Sequence, residues 1–388
     1  MFTRSAHRPS NFFSAVALLT GTTIGAGIFA LPYVVSQAGL VIGLVYIIGL
    51  GLVSIFVNLA YGEIVLSTAR LHQFPGYVEK YLNPRWKKLA LISLFIGLYG
   101  AITAYLLEVG HLLTVLLQPS LGGEPWLYTT VYFLLMAAAN ALGLRAIAPL
   151  EKVLGIGVLM LIGILVVAGF GQLQPAYWLT VTSGKIFLPY GVVLFALAAA
   201  SAIPDMARIL THRRQQLQRA IMVGTVVPIA VYIIFVMMVV GITGPNTTTS
   251  AVVGLGTALG SLALLFGGVF GCFSMSTSFM SLGLVLREVW QIDYHWPTWL
   301  SWLIVMLPPY VMVSFGWLSF IQLLGITGAL IGGVDGIIIM RMHRQVRKNR
   351  ERTPEYQLNQ TPWVHALIYL IFFGGIVYEL YVVSQQLS

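Results

Sequence analysis

The residues with the clearest chemical capacity lie in the first apolar run, Gly21-Thr22-Thr23-Ile24-Gly25-Ala26-Gly27-Ile28-Phe29-Ala30-Leu31-Pro32. The run sits inside a stretch long enough to cross a bilayer, which takes roughly 20 apolar residues. Its glycines and β-branched threonines weaken the helix at the middle of that stretch. A helix loosened there frees main-chain N–H and C=O groups that lipid cannot satisfy, so the break must be buried in protein or line a cavity. The N–H groups of Gly25, Ala26 and Gly27 would head an outer half-helix and attract an anion. The carbonyls of Gly21 to Ile24 would end an inner half-helix and attract a cation. The chemistry on offer is the binding of a small charged solute. The same residues also suit a glycine-rich helix packed tightly on its neighbours.

A second stretch of this kind is Phe195-Ala196-Leu197-Ala198-Ala199-Ala200-Ser201-Ala202-Ile203-Pro204-Asp205, again small residues followed by proline. An amino acid is a zwitterion, and taking each charged end out of water costs several kcal/mol. Two interrupted helices offer half-helix ends of both signs, so they can compensate both charges without a Lys or Arg. Further along, Ser274, Ser276, Thr277 and Ser278 supply hydroxyls that suit a hard cation such as sodium or hydrogen bonds between helices. Acids inside apolar segments are functional candidates by default. Glu63 could brace the unwound segment or relay a proton. Glu108 lies one turn from Tyr105 and shares a helical face with His111, as a proton-relay pair or a structural one. Asp205 stands next to Arg208 as a gate or cap contact, and Glu379 is expected to reach water at an outer helix end. Cys272, the single cysteine, excludes an intramolecular disulfide and a Cys-based metal cluster. The seven histidines are scattered without ligand spacing, which argues against a membrane-embedded enzyme.

These groups must be positioned by a polytopic helical bundle. Of the 388 residues 58% are hydrophobic and 9% charged, against about 25% charged in soluble proteins. Eleven apolar segments are expected, at about 11–36, 38–67, 89–117, 126–143, 153–171, 184–207, 219–241, 254–286, 298–315, 317–340 and 363–385. With the N-terminus inside and alternating spans, 20 of the 21 Lys and Arg residues fall on the cytoplasmic side and only Lys185 falls outside. The positive-inside rule therefore favours an N-terminus in the cytoplasm and a C-terminus outside. The formal charge of +9 then belongs at anionic lipid and not at nucleic acid. Arg341 to Arg352 reads as a solvated inner loop. Trp86, Trp296, Trp299 and Trp317 fall at expected interfaces. Five spans begin at the first break and five at the second, with the eleventh left over. Because five is odd, the second set enters from the opposite side. Paired interrupted helices in two inverted halves point to a transporter site.

These motifs resemble the amino acid/auxin permease family and its bacterial aromatic amino acid permeases, within the amino acid–polyamine–organocation superfamily. Gly21 to Pro32 is similar to the family's G-T-x-I-G-A-G-x-x-x-x-P, Ser201 to Asp205 stands where members often have A-I-P-E, and Thr277-Ser278-Phe279 with Leu282-Gly283-Leu284 is the third match. The resemblance implies an all-α, leucine-transporter type fold in one transmembrane domain. Its first repeat would run over about 11–172, its second over about 184–340, and an extra helix over 363–385. It implies a substrate site of Thr23, Gly25, Ala26, Gly27, Tyr105, Phe195, Ala198 and Ser201. The carbonyls of Gly21 and Ile24 with the hydroxyls of Thr277 and Ser278 match a sodium site that several members keep. Some proton-driven relatives carry a lysine in span 5, where this chain has about Val158; that departure leans toward sodium, with Glu63 or Glu108 as the proton alternative. Ala198-Ala199-Ala200 replaces glycines common in the family, which narrows the pocket. The function implied is cation-coupled amino acid symport across the plasma (inner) membrane, with proton coupling, exchange, a sensor or a channel as alternatives.

Overall fold

The computed structural model describes residues 11–143, 157, 160, 162–165, 167–179, 185–292 and 294–387, and every regular element among them is helical. Arg4, Arg8, Arg145, Lys152, Val158 and part of the expected fifth span lie outside the described residues. Seven of the described helices are long and apolar enough to cross a bilayer, or eight when the bent pair Phe12–Thr23 and Gly27–Ala38 counts as one span. The expected spans 4 and 9 appear as the 17-residue helices Pro125–Ala141 and Thr298–Ser314.

Burial runs the way a bilayer demands. Val45, Leu135, Phe266 and Leu370 are exposed on the outside of the bundle, whereas Asn58, Glu63, Thr103, Glu108, Asn140 and His343 are buried within it. Trp299 and Trp317 are exposed, as suits an interfacial belt.

Local sequence sets the ends of these helices. Gly39, at φ 98°, takes a left-handed conformation open to glycine at little cost, and so separates Gly27–Ala38 from span 2, Leu40–Leu66. Asn83 caps span 3, Pro84–Leu121, by accepting from the N–H groups of Arg85 and Trp86, with Pro84 in the first turn. Ser319 and Gln322 form a capping box at the start of span 10, a pairing that satisfies two otherwise orphaned donors. Span 3 runs along spans 4, 8 and 10. Span 1 lies on span 7, Leu217–Thr243, and against both halves of span 6.

Span 10 is not a uniform helix. Phe320–Gly328 passes through a π-helical segment, Ala329–Asp335, before Gly336–Val346. Such segments are frequent at functional sites. Asp335 closes it, half-buried beside Ser93 of span 3, with Oδ1 lacking a hydrogen-bond partner.

The expected solvated inner loop is partly corrected. Its first half, Arg341 to Val346, continues the helix of span 10, and the residues after it fold against span 2 as a strap. The N–H groups of Glu351 and Arg352 donate to Ser67 O at 3.1 and 3.3 Å. Glu351 Oε2 accepts from Ala69 N–H at 2.8 Å, and Tyr356 Oη donates to Leu59 O at 2.6 Å. The Lys80 ammonium beside Glu351 holds that carboxyl below the usual carboxylate range. Glu379 is corrected as well. It turns inward to the first turn of Pro189–Leu197, where Gly191 and Gly325 leave room for it. A carboxylate suits the positive end of a helix.

Candidate functional site

Both expected breaks are present. Span 1 parts between Phe12–Thr23 and Gly27–Ala38, with a 53° bend. Span 6 parts between Pro189–Leu197 and Ile203–Ile209, with a single 3-10 turn, Ala200–Ala202, between them. Pro32 and Pro204 lie inside helices and do not make the breaks.

The hydrogen bonds at each break explain its shape. In an unbroken helix Gly25 N–H would donate to Gly21 O; it turns instead to Thr23 O at 3.0 Å. The expectation of free donors from Gly25 to Gly27 is therefore corrected for Gly25. Ala26 heads the outer half-helix with no side chain to cap it. Ladder partners are also missing for Thr23 O, which Gly27 would have served, and for Ala196 O, which Ala200 would have served. One hydroxyl takes both places: Tyr232 Oη of span 7 lies 2.6 Å from Thr23 O and 2.9 Å from Ala196 O. Its proton is shared between the two carbonyls in a three-centre bond. Ser54 Oγ of span 2 donates to the next carbonyl, Leu197 O, at 3.3 Å.

Tyr232 does not stand out in the sequence. The available signal was a tyrosine in the middle of an aliphatic span, away from the interfacial belt; a buried phenol almost always has a partner to find.

The structure brings several expected substrate residues to one place. Gly27 packs on Ala196 so closely that a Cβ there would stand 2.7 Å from the Ala196 Cβ. A Cβ on Gly25 would lie 3.9 Å from Tyr105 Oη, so Tyr105 faces the first break across from span 3. Phe195 is half-buried against Gly328 of span 10. Ala198 ends the outer half of span 6, and Ser201 lies exposed in the 3-10 turn. The Thr23 hydroxyl donates back to Leu19 O at 2.7 Å, so in this arrangement its proton is not offered to a carboxylate.

The expected cation ligands lie on two elements. Gly21 is exposed and Ile24 buried on span 1, while Thr277 and Ser278 are half-buried on span 8, Ser261–Ile292. Thr277 Oγ1 donates to Ser274 O at 2.9 Å. Ser276 Oγ reaches Tyr132 Oη of span 4 at 3.1 Å, a contact between helices.

The acids separate by environment. Glu108 is buried beside Ser250 and Cys272, and its Oε1 lacks a hydrogen-bond partner. His111 is exposed on the same helix, so the two do not pair. Glu63 is engaged near the strap, by His343 Nε2 at 3.0 Å and Leu358 N–H at 2.7 Å. Asp205 pairs with Arg208 at 3.0 Å, the local contact expected.

Comparison with known proteins gives the family and the fold. Residues 8–382 match the tryptophan/tyrosine permease family, and the chain belongs to that family. Tyrosine-specific transport system 2 of Haemophilus influenzae is 24% identical over 243 residues, covering 59% of this chain and 58% of that protein. The chain thus aligns with little more than half of that relative's length. The tryptophan-specific transport protein of Pseudomonas aeruginosa is 23% identical over 95% of this chain and 93% of its own. In fold, the chain is similar to the crystal structure of MhsT in complex with L-phenylalanine, at a TM-score of 0.58 and 14% identity, covering 98% of this chain and 100% of that one. The named relatives are transport proteins and not enzymes.

Two substitutions test the geometry. Tyr232→Phe removes the donor to Ala196 O and leaves Thr23 O with the Gly25 N–H alone, at about 1–3 kcal/mol for a lost buried partner. Uptake into proteoliposomes is expected to fall at least tenfold with a lowered Tm, and wild-type uptake would show that the hydroxyl is dispensable. Gly27→Ala is expected to impair uptake far more than Gly25→Ala, because only the first methyl group meets Ala196; equal uptake by the two variants would contradict the close packing.

Proposed function

We propose that this member of the tryptophan/tyrosine permease family is a secondary active transporter that carries an amino acid inward together with a cation, by alternating access at the breaks of spans 1 and 6. The observation that carries this reading is the shared hydrogen bond of Tyr232 to Thr23 O and Ala196 O. It ties two interrupted helices into one unit at the depth where a charged solute needs main-chain dipoles in place of water. The substrate carboxylate would sit at the N-terminal end of Gly27–Ala38, and the amino group at the carbonyl ends near Gly21 and Ala198. The names of the tyrosine- and tryptophan-specific relatives point to an aromatic amino acid, with Tyr105 and Phe195 as its ring contacts. Ala198-Ala199-Ala200 would set the upper size limit.

The architecture proposed for this activity is eleven spans, five plus five in inverted repeats with one extra helix, N-terminus in the cytoplasm and C-terminus outside. In that orientation, exposure around the breaks supports an inward-facing state. Gly21, Thr22 and Ser201, on the inner side of the breaks, are exposed, whereas Gly27 to Pro32 and Pro189 to Leu194 are buried. The membrane potential adds about 2.3 kcal/mol per charge per 100 mV to uptake.

For the coupling ion the donor set of Gly21, Ile24, Thr277 and Ser278 suits sodium, since carbonyl and hydroxyl oxygens are what a hard cation takes. A second reading, proton coupling, is favoured by one observation. Glu108 is a buried carboxyl with no cationic partner among the described residues, one turn from Tyr105. Acids inside membrane spans mark proton relays in pumps and transporters, so this group is a candidate proton carrier. Glu63, already held by several donors, is less suited to deliver a proton to the breaks.

Uptake of tyrosine and tryptophan into proteoliposomes under a sodium gradient or a pH gradient alone separates these readings. Under sodium coupling, Thr277→Ala with Ser278→Ala abolishes the sodium response and Glu108→Gln does not. Under proton coupling the outcomes reverse. Uptake driven by neither gradient would contradict cation symport.

A further inference from the structure

Away from the breaks, three ionisable side chains from three spans meet inside the bundle. Glu63 of span 2 and His343 of span 10 are joined at 3.0 Å between Oε2 and Nε2. His343 Nδ1 lies 3.2 Å from Nε2 of His365, at the start of span 11, Pro362–Leu387. All three are buried, at 1%, 0% and 3% exposure. Phe56 sets its ring edge-on to both imidazoles. The strap supplies the other partners. Leu358 N–H donates to Glu63 Oε2 at 2.7 Å, Arg347 Nε stands 3.6 Å from Glu63 Oε1, and Gln360 Nε2 donates to His343 O. Tyr356 faces Glu63 from the strap, and Arg341 and Arg344 of span 10 face Tyr369 of span 11, with Arg344 also facing His365.

We infer that Glu63, His343 and His365 form a proton-binding site that locks the strap, residues 347–361, onto span 2 and releases it when both imidazoles are charged. With both rings neutral the chain is complete: Nε2–H of His343 donates to the Glu63 carboxylate, and Nε2–H of His365 donates to Nδ1 of His343. A first proton is accommodated by tautomer exchange, with His343 as the cation donating to both neighbours. A second proton leaves two N–H donors facing each other at 3.2 Å. It also sets two imidazolium charges beside Arg347 and Arg344, with Glu63 the one acid among the groups named. The docked strap is then the state that binds fewer protons. Its stability is present at neutral pH and declines as pH falls far enough to charge the second ring. Because Glu63 is held here, its role is to anchor this lock at the inner end of span 2. Release would free that end of the span for movement, a consequence that rests on the transporter reading, whereas the docking equilibrium does not.

The test is amide hydrogen exchange on the full-length protein in lipid nanodiscs at pH 7.5 and pH 5, corrected for intrinsic exchange rates. Residues 350–360 of the wild type are expected to exchange at least tenfold faster at pH 5. His343→Gln and His365→Gln, made separately, keep a side-chain N–H donor but cannot be charged, and their straps are expected to stay protected at both pH values. Equal protection of the wild-type strap at both pH values would overturn the proposal, as would an acid response retained in both variants. If His343→Gln fails to fold, His365→Gln alone decides between these outcomes. Thermal shift with amino acids on the same samples at pH 7.5 keeps the two readings apart: an acid-released strap without amino acid binding counts against the transporter, not against the lock.

Discussion

A single phenolic proton, shared between Thr23 O and Ala196 O, is the constraint on which the centre of this protein depends. Breaking a helix at mid-membrane strands carbonyls, and each stranded group costs several kcal/mol in hydrocarbon. The two breaks share that cost because they meet. Gly27 comes close enough to Ala196 to exclude a methyl group, and span 7 delivers one donor to both. Ser54 then serves the neighbouring Leu197 O. What stays available is the uncapped helix end at Ala26 and the inner carbonyl ends. These are dipoles of opposite sign held at fixed spacing.

The rest of the bundle follows from the same accounting of buried polar groups. Threonines return their hydroxyls to the carbonyl four residues earlier, as Thr23, Thr103, Thr114 and Thr225 do. Tyr99, Trp178 and Trp302 donate to carbonyls on other spans. Against this background, an acid with an unpartnered oxygen stands apart. Glu108 and Asp335 are two such groups, one near the first break and one at the π-helical turn of span 10.

The breaks were legible in the sequence because they are local. Glycine and β-branched residues in one run weaken a helix wherever they occur; the alanine run before Pro204 forms a sound helix by itself and pointed to a break only through its register with span 1. The class and most of the spans were legible for the same reason, since hydropathy is local too. The contacts that matter most are not local. Tyr232 reaches Thr23 across 209 positions and His343 reaches Glu63 across 280, and neither pairing leaves a spacing pattern. The histidines looked scattered because their partners lie on three different spans. The inner loop read as solvated from its arginines, yet Tyr356, Leu358 and Glu351 carry the docking. Glu379 looked like a helix-end residue reaching water; the room beside it comes from Gly191 and Gly325, on two other spans.

The central claim is that main-chain dipoles at two joined breaks compensate both charges of an amino acid. Its most direct measurement is the affinity of the purified protein for tyrosine or tryptophan, whichever binds, compared with the amine lacking its carboxylate and the acid lacking its amino group. The account predicts that each truncated compound binds at least 100-fold more weakly than the zwitterion, because each leaves one set of half-helix ends without its charge. Equal affinity for either analogue would contradict it.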